Sequence, residues 1–155
     1  MRRDVSRIDN ALIGAAGVHF VVSELSLRGL IALPTTRNTV GIDVVVVSLD
    51  GSLHANLQVK ASKNKVTFWP VGKSYEKIRG RHNFYVFTRY LKKESRFETF
   101  LESADQVTKT VKARRELSRS LGYAEWAPCW FLPKDEASRE RVRRQWLEFG
   151  RGRLT

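Results

Sequence analysis

An aspartate, a glutamine and a lysine carry the chemistry that this chain offers most directly. Asp43 stands in a β-prone run over 40–49, Gln58 and Lys60 in a second over 52–60, and Asp50-Gly51 joins the two. Asp-Gly between such runs is a strong hairpin signal, because both turn positions tolerate φ > 0. A two-residue loop sets Leu49 opposite Ser52 and Asp43 opposite Gln58. Opposed Cβ atoms lie roughly 4.5–5.5 Å apart, and Lys60, two residues on, emerges on the same face. A carboxylate, an amide oxygen and an ammonium then converge on one patch of sheet, the makeup of an active site. The plainer alternative is an exposed edge where Asp43 and Lys60 form a surface pair worth about 0–1 kcal/mol. The run Val44, Val45, Val46, Val47 argues instead for a strand covered on both faces.

Residues 9–30 read as one helix, with Asp9 as N-cap and Gly29 closing it. Phe20, Val21, Leu27 and Ile31 lie at helical spacing from Glu24, so Glu24 projects from an apolar stripe that should face the sheet. A buried carboxylate needs a cation, a metal or hydrogen bonds. A pair with Arg28, one turn on, is one solution; a metal site shared with Asp43 is the other, and the nearby hairpin favours it.

A helix with an inward Glu, then Gly41-Ile42-Asp43 opening a strand, then Gln58-Val59-Lys60 in the next, resembles the PD-(D/E)XK, or restriction-endonuclease-like, nuclease superfamily. The likeness is to its resolvase-like and restriction-like members, and it covers about residues 10–62. It implies an α/β domain of three layers, a central mixed sheet flanked by helices, over the whole chain 1–155. It also implies Mg²⁺ or Mn²⁺ held by Glu24, Asp43 and Gln58, with Lys60 as the catalytic lysine. Gln58 stands where the family usually has an acid, and Ile42 where it has Pro; the Gln keeps a carbonyl oxygen for a hard cation but removes one negative charge. The expected activity is metal-dependent hydrolysis of DNA, with a non-catalytic nucleic-acid-binding protein on the same scaffold as the alternative. Zinc is not expected, since one Cys and three His (His19, His54, His82) show no zinc spacing.

Charge points the same way. The formal net charge is +12, but residues 1–59 balance, whereas residues 60–93 hold ten Lys or Arg against the single Glu76. Within that stretch Lys63, Lys65, Lys73, Lys77, Arg79 and Arg81 are the expected nucleic-acid contacts, because Lys and Arg neutralise phosphates and release counterions. A segment so charged repels itself without an anionic partner. Phe68 and Trp69 interrupt it, and the core is favoured over a stacking platform for one of them. Double-stranded or branched DNA is the expected partner, and a homodimer stays open.

The remainder reads as scaffold: strands over 84–90 and 96–101, a helix over 104–121 ended by Gly122, an apolar stretch around Trp126 and Trp130, and a helix over 136–149. Val107, Val111 and Leu117 should face the core. Arg139, Arg143, Arg144, Arg151 and Arg153 form either a second basic surface or the snorkelling face of a helix built around Val142, Trp146 and Phe149. Arg2-Arg3 before an apolar stretch looks superficially like a leader, but Asp4 and Asp9 interrupt it and no small-x-small cleavage site follows. No apolar run approaches the roughly 20 residues of a membrane span. Cys129 is the only cysteine, so a reducing, cytoplasmic setting is expected.

Overall fold

In the computed structural model, which describes residues 9–36 and 41–151, alternating apolar and polar side chains build one mixed sheet. Its strands are β1 (Leu30–Pro34), β2 (Val44–Ser48), β3 (His54–Lys63), β5 (Asn83–Leu91) and β6 (Arg96–Ser103), in the order β1-β2-β3-β5-β6. β3 and β5 are parallel and every other neighbouring pair is antiparallel. Two short strands, β4 (Phe68–Pro70) and β7 (Cys129–Phe131), form a separate ribbon. The helices are α1 (Asn10–Leu27), α2 (Ala104–Ser120) and α3 (Glu136–Glu148), capped by Asp9, Ser103 and Asp135, whose side chains accept from N–H groups of the first turn.

Helices and ribbon cover both faces of the sheet, so the protein is an α/β domain with a helix-flanked mixed sheet. On one face Val21 and Leu25 of α1 meet Val44, Val46, Leu57, Val59, Val86 and Leu101. On the other, Trp69, Tyr85, Phe87, Phe100, Val107, Val111 and Trp130 pack together, with Trp130 stacked on Phe87 at 4.1 Å. α3 packs against β6 and feeds both sides, Val142 to the second cluster and Trp146 and Phe149 to the first. Arg28 ties its end to α1: the guanidinium donates to Trp146 O and Phe149 O and lies 4.4 Å over the Trp146 ring.

The hairpin keeps the expected register with a wider loop. Val44 pairs with Leu57 and Val47 with His54, and Ser48 N–H donates to Leu53 O, so residues 49–52 form a four-residue connection. Asp50 stabilises that loop by accepting from Ser48 Oγ, Ser52 N–H and Ser52 Oγ, bonds that hold its carboxyl down to about 2. Widening by two residues preserves parity, so no side chain changes face.

Several expectations needed correction. The helix stops at Leu27, and Gly29, at φ +81°, turns the chain into β1, whose Leu30 and Ala32 are buried while Ile31 and Leu33 are exposed. The stripe of α1 that meets the core is Ile13, Gly17, Val21 and Leu25, and Leu27 is exposed. Leu117 is exposed as well, because the sheet contact of α2 ends at Val111. Val40, Arg2, Arg3, Asp4 and Arg153 lie outside the described residues. α1 is long and apolar enough to cross a membrane by length and composition alone.

Gly17 marks the closest approach of α1 to the sheet. A Cβ there would meet Ala61 Cβ at 2.5 Å and Thr88 Cγ2 at 3.3 Å, whereas one at Gly14 meets nothing within 4 Å. Gly17→Ala should therefore cost about 1–3 kcal/mol by overpacking. Gly14→Ala should add about 0.5–1 kcal/mol from helix propensity. Urea denaturation midpoints of the two variants moving in opposite directions is the expected result.

Candidate active site

The β2–β3 ladder opens at Asp43, one residue before β2 begins. Asp43 N–H donates to Leu57 O at 2.8 Å, and its carboxylate Oδ2 accepts Val59 N–H at 2.7 Å. The side chain takes the place of a ladder bond, which fixes the carboxylate against β3 on a backbone position flanked by Gln58 and Lys60. Because Leu57 and Val59 belong to the α1 side, Gln58 and Lys60 point to the opposite face.

Gln58 is 9% exposed, and its Oε1 is buried with no hydrogen-bond partner among the described residues. Its register partner on β5 is Tyr85, fully buried, whose hydroxyl also lacks a partner among the described residues and is pushed up to about 12 by burial. Leaving a buried polar atom unpaired costs about 1–3 kcal/mol. Orphaned atoms on two register neighbours call for a partner such as a water, an ion or a substrate oxygen. Lys60 follows, beside Phe87 in the register. Burial pushes its ammonium below the ordinary lysine range, and the charge of Asp43 only partly offsets this. Among the described residues Lys60 forms no ion pair. A desolvated cation of this kind attracts an anion strongly.

The crossover from β3 to β5 lies over the same face. Its Trp69 and Tyr75 are buried with Tyr85 and Phe87, so Trp69 is core, while Phe68 is 47% exposed. Gly41, at φ +78°, lets Ile78 approach: a Cβ there would stand 2.8 Å from Ile78 Cδ1. That contact draws the 73–81 segment beside the Asp43 loop. Lys65, Lys73, Lys77, Arg79 and Arg81 are exposed and form no ion pair among the described residues. Lys63 is half-buried at the end of β3. Arg89, from the same basic stretch, is buried against Glu98 at 2.6 Å and serves the fold.

Glu24 does not join the group. α1 packs on the Leu57 and Val59 face, so the sheet stands between Glu24 and Lys60. Glu24 pairs with Arg28 at 3.3 Å, the local alternative that helical spacing offered. The C-terminal arginines are largely neutralised. Arg139 meets Glu136, Arg143 meets Glu98 and Glu140, and Arg144 lies 3.9 Å from Glu148. Val142 and Trp146 are buried beneath them, so the snorkelling reading describes this helix. Sequence reasoning missed Tyr85, which comes next to Gln58 only through the parallel β3–β5 register. It also missed the stack of His54 on His82, ring centroids 4.0 Å apart.

Among the described residues no three His, Cys, Asp or Glu side chains converge on a metal position. Asp43 and Gln58 still suit a magnesium-like ion, which binds through one or two carboxylates and completes its shell with waters and substrate phosphates. The orphaned Gln58 Oε1 is the feature of this structure that fits such an ion. No protein-family model matches the chain, and no curated protein matches it either.

The buried charge of Lys60 has a stability signature. Its folded pKa lies below 10.5, the value of a free lysine. Between the folded pKa and 10.5 the unfolded chain binds the extra proton, so stability rises with pH there. Below that window the charged form weakens the fold. Lys60→Met should therefore be more stable than the wild type at pH 7, with the gap narrowing as pH approaches 10.5. Urea titrations across that range check this, and a variant less stable at pH 7 would contradict it.

Proposed function

We propose that the protein is a cytoplasmic, divalent-cation-dependent nuclease that hydrolyses DNA phosphodiester bonds on a restriction-endonuclease-like scaffold. One observation carries the reading: a desolvated Lys60, without an ion pair among the described residues, beside the pinned Asp43 carboxylate and the orphaned Gln58 oxygen. Further support comes from the element order, a helix, an antiparallel three-strand run and then a strand parallel to its last member. The exposed cations Lys65, Lys73, Lys77, Arg79 and Arg81, without ion pairs among the described residues, add an electrostatic track toward the same face.

Asp43 and Gln58 would hold Mg²⁺ or Mn²⁺. Such an ion, when bound, stabilises charge on phosphoryl oxygens and makes a bound water more acidic. Lys60 donates hydrogen bonds to a non-bridging phosphate oxygen, and its desolvation strengthens that contact. The backbone bond from Val59 keeps the Asp43 carboxylate aimed without rotamer freedom. Lys73, Lys77, Arg79 and Arg81 supply affinity along the backbone rather than chemistry.

A second reading has its own observation. With Glu24 on the far face, Asp43 is the one carboxylate of the proposed set left on this face among the described residues, which suits a nucleic-acid-binding protein without catalysis.

Cleavage assays with Mg²⁺ or Mn²⁺ over linear and branched DNA separate the two. Asp43→Asn and Lys60→Ala should each abolish cleavage and leave binding largely intact. Gln58→Glu should strengthen Mn²⁺ binding in calorimetry, since it restores a charge next to Asp43. Absence of cleavage on every substrate, with no metal bound by wild type or Gln58→Glu, leaves the binding protein as the account.

Affinity makes a separate prediction. Replacing Lys73, Lys77, Arg79 and Arg81 by Ala should weaken DNA binding across sequences. Each lost phosphate contact should flatten the slope of log K against log salt by roughly 0.9. An unchanged slope would move the binding surface away from 65–81.

A further inference from the structure

A cavity of about 540 Å³ opens between the C-terminal half of α2, the 121–128 segment and the β4–β7 ribbon. Its volume suits one small planar ligand. The walls are aromatic: Phe68 and Phe131 face each other across the ribbon at 5.7 Å, and Tyr123 and Trp126 also line the cavity. Tyr123 is 65% exposed and Trp126 78%, an arrangement that leaves two large ring faces in water.

The rim is cationic. Arg114 lies 3.6 Å over the Phe131 ring and forms no ion pair among the described residues. Arg115 and Arg119 share the single carboxylate of Glu125, at 3.5 and 2.9 Å. Stacking rings beneath a surplus of guanidinium charge match a planar aromatic ligand that carries an anion.

The cavity also shares a face with Lys60. Trp69 points from β4 to the inside, between Phe68 and Pro70, which line the cavity, and packs on Phe87 at 5.6 Å. Phe87 is the register partner of Lys60. The cavity thus sits one layer outward from the candidate active site.

We infer that this cavity takes an unpaired nucleobase, with the attached phosphate on the arginine rim, so that the preferred substrate carries a single-stranded segment. The inference rests on the nucleic-acid reading above and names the form of its substrate. A stacked base is recognised by its π-face, so no sequence preference is implied.

Trp126 supplies its own probe, because Trp69, Trp130 and Trp146 are 1–3% exposed. In EDTA, which prevents cleavage, the full chain is titrated with an oligothymidylate of about 12 nucleotides. Parallel titrations use an abasic strand of the same length and a blunt duplex, with anisotropy reporting binding in each case. The oligothymidylate should quench tryptophan emission while the abasic strand and the duplex do not. Trp126→Phe should bind the oligothymidylate and lose the quench. Trp126→Ala should weaken single-strand binding on the order of 10-fold and leave duplex binding unchanged. Binding without quenching, or equal affinity for abasic and base-bearing strands, would overturn the inference and leave the nuclease reading standing. A dimer in sedimentation that Trp126→Ala dissociates would also overturn it, by assigning the rings to a second copy. If neither single strand nor duplex binds, the nucleic-acid reading itself fails.

Discussion

Strand β3 is covered on both faces, paired with β5 from Asn56 to Lys63 and with β2 as far as Leu57, where the Asp43 carboxylate takes over the second edge at Val59, and this enclosure sets the terms for everything the candidate site does. Polar side chains on a solvated edge would exchange water freely and keep ordinary pKa values. On β3 they do not. Lys60 is held with its charge disfavoured, and Gln58 keeps an oxygen that no described residue satisfies. The cost is tolerable because the alternate positions, Leu57 and Val59, anchor the strand to α1 through the opposite face. Apolar burial on one side maintains polar strain on the other, the usual relation between a rigid scaffold and a reactive site.

Asp43 is the hinge between those two roles. Its backbone ends the hairpin ladder and its carboxylate continues the ladder by other means, accepting Val59 N–H. The group is therefore oriented before any ligand arrives, which lowers the reorganisation that binding demands. The absence of Glu24 from this side is equally physical. A helix presents one stripe to the sheet it covers, and α1 spends that stripe on Ile13, Gly17, Val21 and Leu25. Glu24 falls beside it and meets Arg28, whose guanidinium in turn holds the end of α3. A carboxylate there supports packing rather than chemistry.

Much of the architecture was legible because it rests on local rules. The Asp50-Gly51 turn, the period-two runs and the cap residues Asp9 and Gly122 specify elements within a few residues of themselves, and parity kept the register from Val44–Leu57 to Val47–His54 even when the loop proved wider. What was not legible depends on partners distant in the chain. Leu30 to Pro34 forms a strand only because β2 offers an edge, whereas alone its apolar run continues a helix pattern. Which face Glu24 meets depends on how α1 lies over the sheet. Tyr85 reaches Gln58 through a parallel pairing across a long crossover, and Arg89 proves structural because Glu98 lies opposite it on β6. Charge composition alone could not separate Arg89 from Lys73 or Arg79.

The central claim is that Asp43, Gln58 and Lys60 form one phosphate-handling site. Crystals grown with an oligodeoxynucleotide and Mn²⁺, measured for anomalous scattering, test it most directly. The account predicts a peak bonded to the Asp43 carboxylate and Gln58 Oε1 at about 2.0–2.3 Å, with a phosphate oxygen on Lys60 Nζ. Manganese bound elsewhere, with water alone between Asp43 and Gln58 and no phosphate near Lys60, would contradict it.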